Sequence, residues 1–302
     1  MTAATLRGYQ GPPLFSYGFR PFFLFAALWA ALAIPLWALV YLGGGVQDAA
    51  IDRDWHVHEM LFGYLAAVIA GFLLTSVPNW TGRLPVTGAP LAILVCLWVA
   101  GRVAMLAEPW LGAAPVSLFD LAFLPALAVV LWREVIAGRS WRNLAVCALV
   151  TLLAAANLGL HLRPLFPQAA DVAERVALAT PAMLLALIGG RITPSFTHNW
   201  LLQHGSQVLP APAGQFDRIA LAATGAGLLA WILAPTNPLS GVLLLAAGLS
   251  LLVRLVRWRG ERAAAEPLVW VLHAGYGWLA LALALLGAAA LAPGLVPRSA
   301  GL

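Results

Sequence analysis

The chain contains no lysine. All 17 of its basic residues are arginine, only 10% of the residues are charged, and 62% are hydrophobic. With a mean hydropathy of +0.88, a soluble globular protein is excluded. Several stretches near 20 residues carry few or no charges, the length needed to cross ~30 Å of hydrocarbon. The short alternating segments of a transmembrane β-barrel are missing, which excludes that class as well. The net charge of +5 does not point to nucleic acid. The arginines fall in the connections between apolar runs, where they orient a membrane protein. Membrane lipids are the expected surroundings, and no nucleic-acid partner is expected.

Cysteine is scarce too. Cys96 and Cys147 are the only two, both lie in apolar runs, and no CxxC exists. A disulfide framework, a zinc ribbon and a c-type haem attachment site are therefore unsupported. Both thiols are expected to be buried and structural. The four methionines are scattered, so there is no Met-rich copper motif. No Walker loop, GxGxxG or GxSxG elbow appears, which leaves nucleotide and serine-hydrolase chemistry without a signal. The first apolar run lacks a small-residue cleavage site and reads as a first transmembrane helix rather than a signal peptide.

What is present is an all-α, polytopic transmembrane helical bundle of about nine spans. The apolar runs predict helices at 19–42, 58–78, 88–107, 115–132, 141–161, 171–190, 216–234, 238–256 and 267–291. The connections are short, so residues 1–302 are expected to form a single transmembrane domain. Arginine sets the orientation. Arg7, Arg20, Arg83, Arg191, Arg218 and the runs Arg133–Arg142 and Arg254–Arg262 share one side; Arg53, Arg102, Arg163, Arg175 and Arg298 lie on the other. The positive-inside rule then puts the N-terminus in the cytoplasm. His56, His58 and His161 fall near the outer surface, His198 and His204 in an inner loop, and His273 inside the ninth span.

Ionisable groups at membrane depth are costly and are the first candidates for function. The run Asp54-Trp55-His56-Val57-His58-Glu59-Met60 carries three of them where an apolar helix begins. Imidazole is a common ligand for haem iron and copper. On a regular helix His56 and Glu59 share a face with Gly63, Ala67, Ala70 and Leu74. His58 points elsewhere, toward Phe62, Leu65 and Ile69. Two imidazoles two residues apart cannot chelate one metal from an unbroken helix. They can if the helix starts near His58, and Asp54 is a plausible N-cap. Metal ligation, with Glu59 orienting an imidazole, and plain interfacial hydrogen bonding both fit the spacing.

His273 heads a stripe with Gly277, Ala280, Ala284 and Gly287 that suits either a haem edge or a tight helix crossing. His161, one turn after Asn157, matches the depth of His56 and His58, so an outer metal site from these three is geometrically open. His198 and His204 form no recognised metal spacing. Arg20 suits a haem propionate, a phosphate or a lipid headgroup. Arg102 and Asp120 end and begin neighbouring spans and read first as a structural ion pair. Two segments look alike, Thr75 to Thr81 and Thr193 to Trp200. Each places Pro and then Asn-Trp in what reads as an inner loop after a span; duplication and coincidence both explain the likeness.

Several segments together resemble the NnrS family of bacterial membrane proteins. They are Gly18-Phe19-Arg20-Pro21-Phe22-Phe23, His56-Val57-His58-Glu59-Met60-Leu61-Phe62-Gly63-Tyr64, Val77-Pro78-Asn79-Trp80-Thr81-Gly82, Gly189-Gly190-Arg191-Ile192 and His273-Ala274-Gly275-Tyr276-Gly277-Trp278. The resemblance runs along nearly the whole chain. It implies an inner-membrane protein containing haem and copper and linked to nitric oxide response or tolerance. His273 and Arg20 become cofactor-binding candidates, His56, His58 and His161 metal candidates, and Glu59 their support. Members of this family usually have about twelve spans, so the resemblance implies a chain shortened at its C-terminus. The rival from another class is a secondary transporter, with broken spans near Pro194 and the two Asn-Trp segments lining a substrate path. A scaffold subunit is a third reading.

Overall fold

A computed structural model describes residues 9–43, 51–297 and 301. Arg7, Arg298 and Ser299 lie outside the described residues. The described chain is helical, without strands. Among the described residues, nine helices are long and apolar enough to cross a membrane. They are α1 (Phe19–Tyr41), α2 (Arg53–Thr81), α3 (Ala89–Leu106), α4 (Ala113–Ala137), α5 (Trp141–His161), α6 (Pro167–Gln203), α7 (Gln215–Leu233), α8 (Pro238–Arg257) and α9 (Pro267–Leu291). Nearly all of the expected spans recur within a few residues. The chain divides into two compact units, 1–177 and 178–302, with the boundary inside α6.

Two helices differ from expectation in an informative way. Helix α2 starts at Arg53, five residues early, because Asp52 caps it; its carboxylate accepts the Trp55 amide at 2.8 Å. Asp54, the expected cap, is already inside the helix. Helix α6 runs on to Gln203, so the segment from Thr193 to Trp200 is helical, and His198 sits on a helix rather than in a loop. The segment from Thr75 to Thr81 is likewise the last turns of α2. Polarity suggested loops there, but hydroxyls bond back along the helix. Thr81 donates to Val77 O at 2.9 Å and Thr197 to Thr193 O at 2.7 Å, so lipid meets no unpaired hydroxyl. Pro78 and Pro194 both lie inside continuous helices. The broken spans that a transport path would use are not found at either one.

Both α2 and α6 contain a π-helical segment, Glu59–Leu65 and Leu185–Gly189. Such wide turns recur at functional sites because they re-aim side chains.

In the first unit α1 packs on α2, α3 forms a hairpin with the first half of α4, and the second half of α4 packs on both α2 and α5. Apolar attraction cannot drive this in lipid; close approach does. At Gly71 a Cβ would come 2.7 Å from Phe23, and at Gly101 one would come 3.1 Å from the Asp120 backbone. Gly101 thus lets α3 come close to α4, which sets Arg102 beside Asp120.

In the second unit α8 packs against both α7 and α9. The small-residue stripe of α9 is the seam. A Cβ at Gly248 would lie 2.6 Å from Ala280 O, and one at Gly287 would lie 2.6 Å from Leu245 N. Leu244, Ala247, Leu251, Tyr276 and Leu283 fill the core around it. Cys147 is buried as expected, but Cys96 is exposed. Apolar character alone does not separate the lipid-facing side of a helix from its packed side.

Candidate metal centre

The wide turn of α2 begins at Glu59, directly after His58. Both side chains turn into the first unit and are buried, at 5% and 0% exposure. His58 Nδ1 lies 3.2 Å from Glu59 Oε1. The other Glu59 oxygen accepts from Arg102 Nη1 at 2.5 Å, and Arg102 Nη2 donates to Asp120 Oδ1. Arg102 and Asp120 are buried as well. The ion pair expected between them is present, and Glu59 extends it to a carboxylate–guanidinium–carboxylate bridge.

The remaining Asp120 oxygen is the meeting point. Oδ2 lies 3.1 Å from His58 Nε2 and 2.9 Å from His161 Nε2, and accepts from Asn157 Nδ2 at 2.8 Å. Asn157 Oδ1 lies 3.0 Å from His58 Nε2. The two imidazole rings stand edge to face, 5.3 Å apart. The ligand atoms of His58, Asp120 and His161 all lie within 4.8 Å of one another.

The proton assignments follow from the partners. Glu59 can only accept, so His58 carries its hydrogen on Nδ1. The Ser117 hydroxyl donates to Ala113 O at 2.8 Å and lies 3.0 Å from His161 Nδ1. Its one hydrogen is used, so it accepts from His161 Nδ1–H. Both imidazoles therefore point Nε2 at the same place as Asp120 Oδ2, either as a lone pair offered to a metal or as an N–H donating to the carboxylate. Two imidazole nitrogens and two side-chain oxygens converge, and the Asn157 amide is the one donor whose hydrogen is fixed by its own chemistry. Such a cluster calls for a cation, or a bound proton, among the lone pairs. Fixing the imidazole tautomer through the far nitrogen is how metal-ligating histidines are set. A set of two imidazoles and one carboxylate suits copper, zinc or iron, and three protein ligands leave a coordination position free.

That position faces a cavity of about 630 Å³ lined by His58, His161, Ser117, Trp55, Met105 and Val116, among others. Its volume is in the range of small-molecule sites, about 300–1,000 Å³. Asp54, Glu108 and Arg163 also line it.

The other expected residues lie elsewhere. His56 stacks on Trp37 with ring centroids 4.0 Å apart, and its buried Nδ1 has no partner among the described residues. The helix is unbroken through both histidines, so His56 and His58 face different ways. Arg20 is exposed and donates to Pro13 O at 3.0 Å. In the second unit His273 is buried, with Nε2 3.2 Å from Thr197 Oγ1 and Trp258 stacked at 6.4 Å. Its Nδ1 is buried and unpartnered among the described residues. A Cβ on Gly260 would run into the His273 ring, so glycine there lets the backbone lie against the imidazole. His204 is exposed and stacks on Trp200 at 4.0 Å.

Sequence reasoning read Asp120 as structural and passed over Ser117. An isolated carboxylate inside an apolar span was the available signal for the first. Ser117 carried none, because a lone serine in a helix is ordinary.

Comparison with curated proteins and with solved structures gives no match. A family model described as NnrS protein matches residues 13–302, nearly the whole chain, and this polytopic helical membrane protein therefore belongs to the NnrS family.

Proposed function

We propose that this NnrS protein holds a copper ion on His58, Asp120 and His161 in the bacterial inner membrane and serves in nitric oxide response or tolerance. The observation that carries this reading is the convergence of two imidazole Nε2 atoms and a carboxylate oxygen, with each imidazole's other nitrogen already engaged by Glu59 or Ser117. Bound copper supplies an open coordination position for a small ligand. Nitric oxide or a related small molecule is the occupant we assign to the adjoining cavity. His58 and His161 hold the ion, Asp120 anchors it, and Arg102 with Asn157 fixes the carboxylate. The arginine distribution puts the N-terminus in the cytoplasm and this cavity on the outer side.

For haem, the family's other cofactor, His273 is the residue we assign, supported by its buried, unpartnered Nδ1. Arg20, in the first unit, is a separate candidate for binding a carboxylate such as a haem propionate.

Optical and electron paramagnetic resonance spectra of the purified, metal-loaded protein, recorded before and after nitric oxide is added, test the proposal. A copper signal that changes with nitric oxide and is absent from His161→Ala is expected. A copper signal that His161→Ala leaves unaltered would refute the assigned ligands.

A further inference from the structure

We infer that the Glu59–Arg102 ion pair selects the charge of the ion at this centre, favouring a monovalent over a divalent cation. The inference rests on the metal reading above and adds the class of ion. It follows from the charges sealed around the donor atoms. Arg102 bridges two carboxylates, those of Glu59 and Asp120, and all three groups are buried, at 4%, 0% and 2% exposure. One guanidinium against two carboxylates leaves a single negative charge. The other groups that touch the cluster, Asn157, Ser117 and the two imidazoles, coordinate or hydrogen-bond as neutral species. The charged side chains at the cavity mouth are reached by solvent. Asp52 is exposed, Glu108 is half-buried, and Asp54 and Arg163 have side chains 45% and 33% exposed, so their fields are screened.

A monovalent ion brings this sealed set to neutrality. A divalent ion leaves a net positive charge in a low-dielectric surrounding, where uncompensated charge is costly. Met105 points the same way. It is among the residues that line the same cavity as His58 and His161, and thioethers favour soft monovalent ions such as Cu(I) over hard divalent ones.

The geometry also explains why the pair is needed. Asp120 alone with two imidazoles would carry the same single negative charge. Glu59 is required to fix the tautomer of His58, and it brings a second negative charge. Arg102 cancels that charge. Without the guanidinium the set would carry two negative charges and suit a divalent ion.

The test is an equilibrium competition between Ag(I) and Zn(II) on the purified full chain, read by native mass spectrometry. Two variants change the sealed charge in opposite senses and a third restores it: Arg102→Gln makes it more negative, Glu59→Gln makes it neutral, and the double variant returns it to the original. The expected ratio of Ag(I) to Zn(II) affinity falls about tenfold or more in Arg102→Gln and rises about tenfold or more in Glu59→Gln. It returns near the starting value in the double variant. If Arg102→Gln does not fold, Glu59→Gln and the double variant still decide the matter. A ratio that is unchanged in Glu59→Gln, or that the double variant fails to restore, overturns the inference while leaving the metal centre in place. A starting protein that binds neither ion overturns the metal centre itself, and this inference with it.

Discussion

At the scale of single residues, the centre is decided by hydrogen bonds made on the far side of each ligand. His161 is held through Ser117, whose only hydrogen is spent on Ala113 O. Ser117→Ala removes the acceptor from His161 Nδ1–H without touching any ligand atom. Metal affinity is expected to fall about 10- to 100-fold, as for other supporting partners of ligating histidines. The helix content should stay unchanged. Competitive metal titration alongside circular dichroism checks both. Retained affinity would show that Ser117 merely caps an idle imidazole. The contrast with His204 is instructive. That ring also has a hydrogen-bond partner, Trp200 O at 2.8 Å, but it is exposed and no other ligand converges on it. Depth and convergence, rather than the presence of imidazole, separate the two.

At the scale of helices, the π segment of α2 and the glycine contacts do the positioning. A regular helix would put adjacent residues about 100° apart. The wider turn that starts at Glu59 lets His58 and Glu59 both face the interior. In the second unit the α8–α9 seam depends on Gly248 and Gly287. Gly248→Leu forces a side chain against Ala280 O and Ala284, and overpacking of this kind costs typically about 1–3 kcal/mol. A lower midpoint of thermal unfolding in detergent is expected; an unchanged midpoint would mean the seam gives way freely. The positions of the helices were legible in the sequence because uninterrupted apolar length is a strong signal. The α9 stripe was legible as a choice between a haem edge and a helix crossing, and the backbone contacts at Gly287 show a crossing at the end far from His273. Helix ends were less legible. The segment after Thr193 looked like a loop because it is polar, yet its hydroxyls bond back into the helix. The π turn had no sequence signature at all: Glu59 was read as orienting an imidazole, but regular helix geometry put it on the face of His56 rather than beside His58. His161 was reached by matching depth. Asp120 was not, since an aspartate beside an arginine reads as an ion pair, and here its second oxygen also meets both imidazoles.

At the scale of the whole molecule, orientation and metal content are the two properties that matter. The proposed cytoplasmic N-terminus would put the connection at 82–88 on the inner side and the one at 107–112 on the outer side. A membrane-impermeant thiol reagent applied to intact cells should label a cysteine introduced at Glu108 and spare one introduced at Leu84. The reverse pattern would invert the topology and place the cavity on the cytoplasmic side. The reading of the chain as a metal protein is tested most directly by elemental analysis of the purified full-length protein after loading with copper and removal of excess ion. His58→Ala and His161→Ala serve as variants and His204→Ala as a control. Copper is expected at about one equivalent per chain in the starting protein and in His204→Ala, and should be lost from both His58→Ala and His161→Ala. Copper retained in those two variants, or absent from all four proteins, would contradict a metal centre at His58, Asp120 and His161.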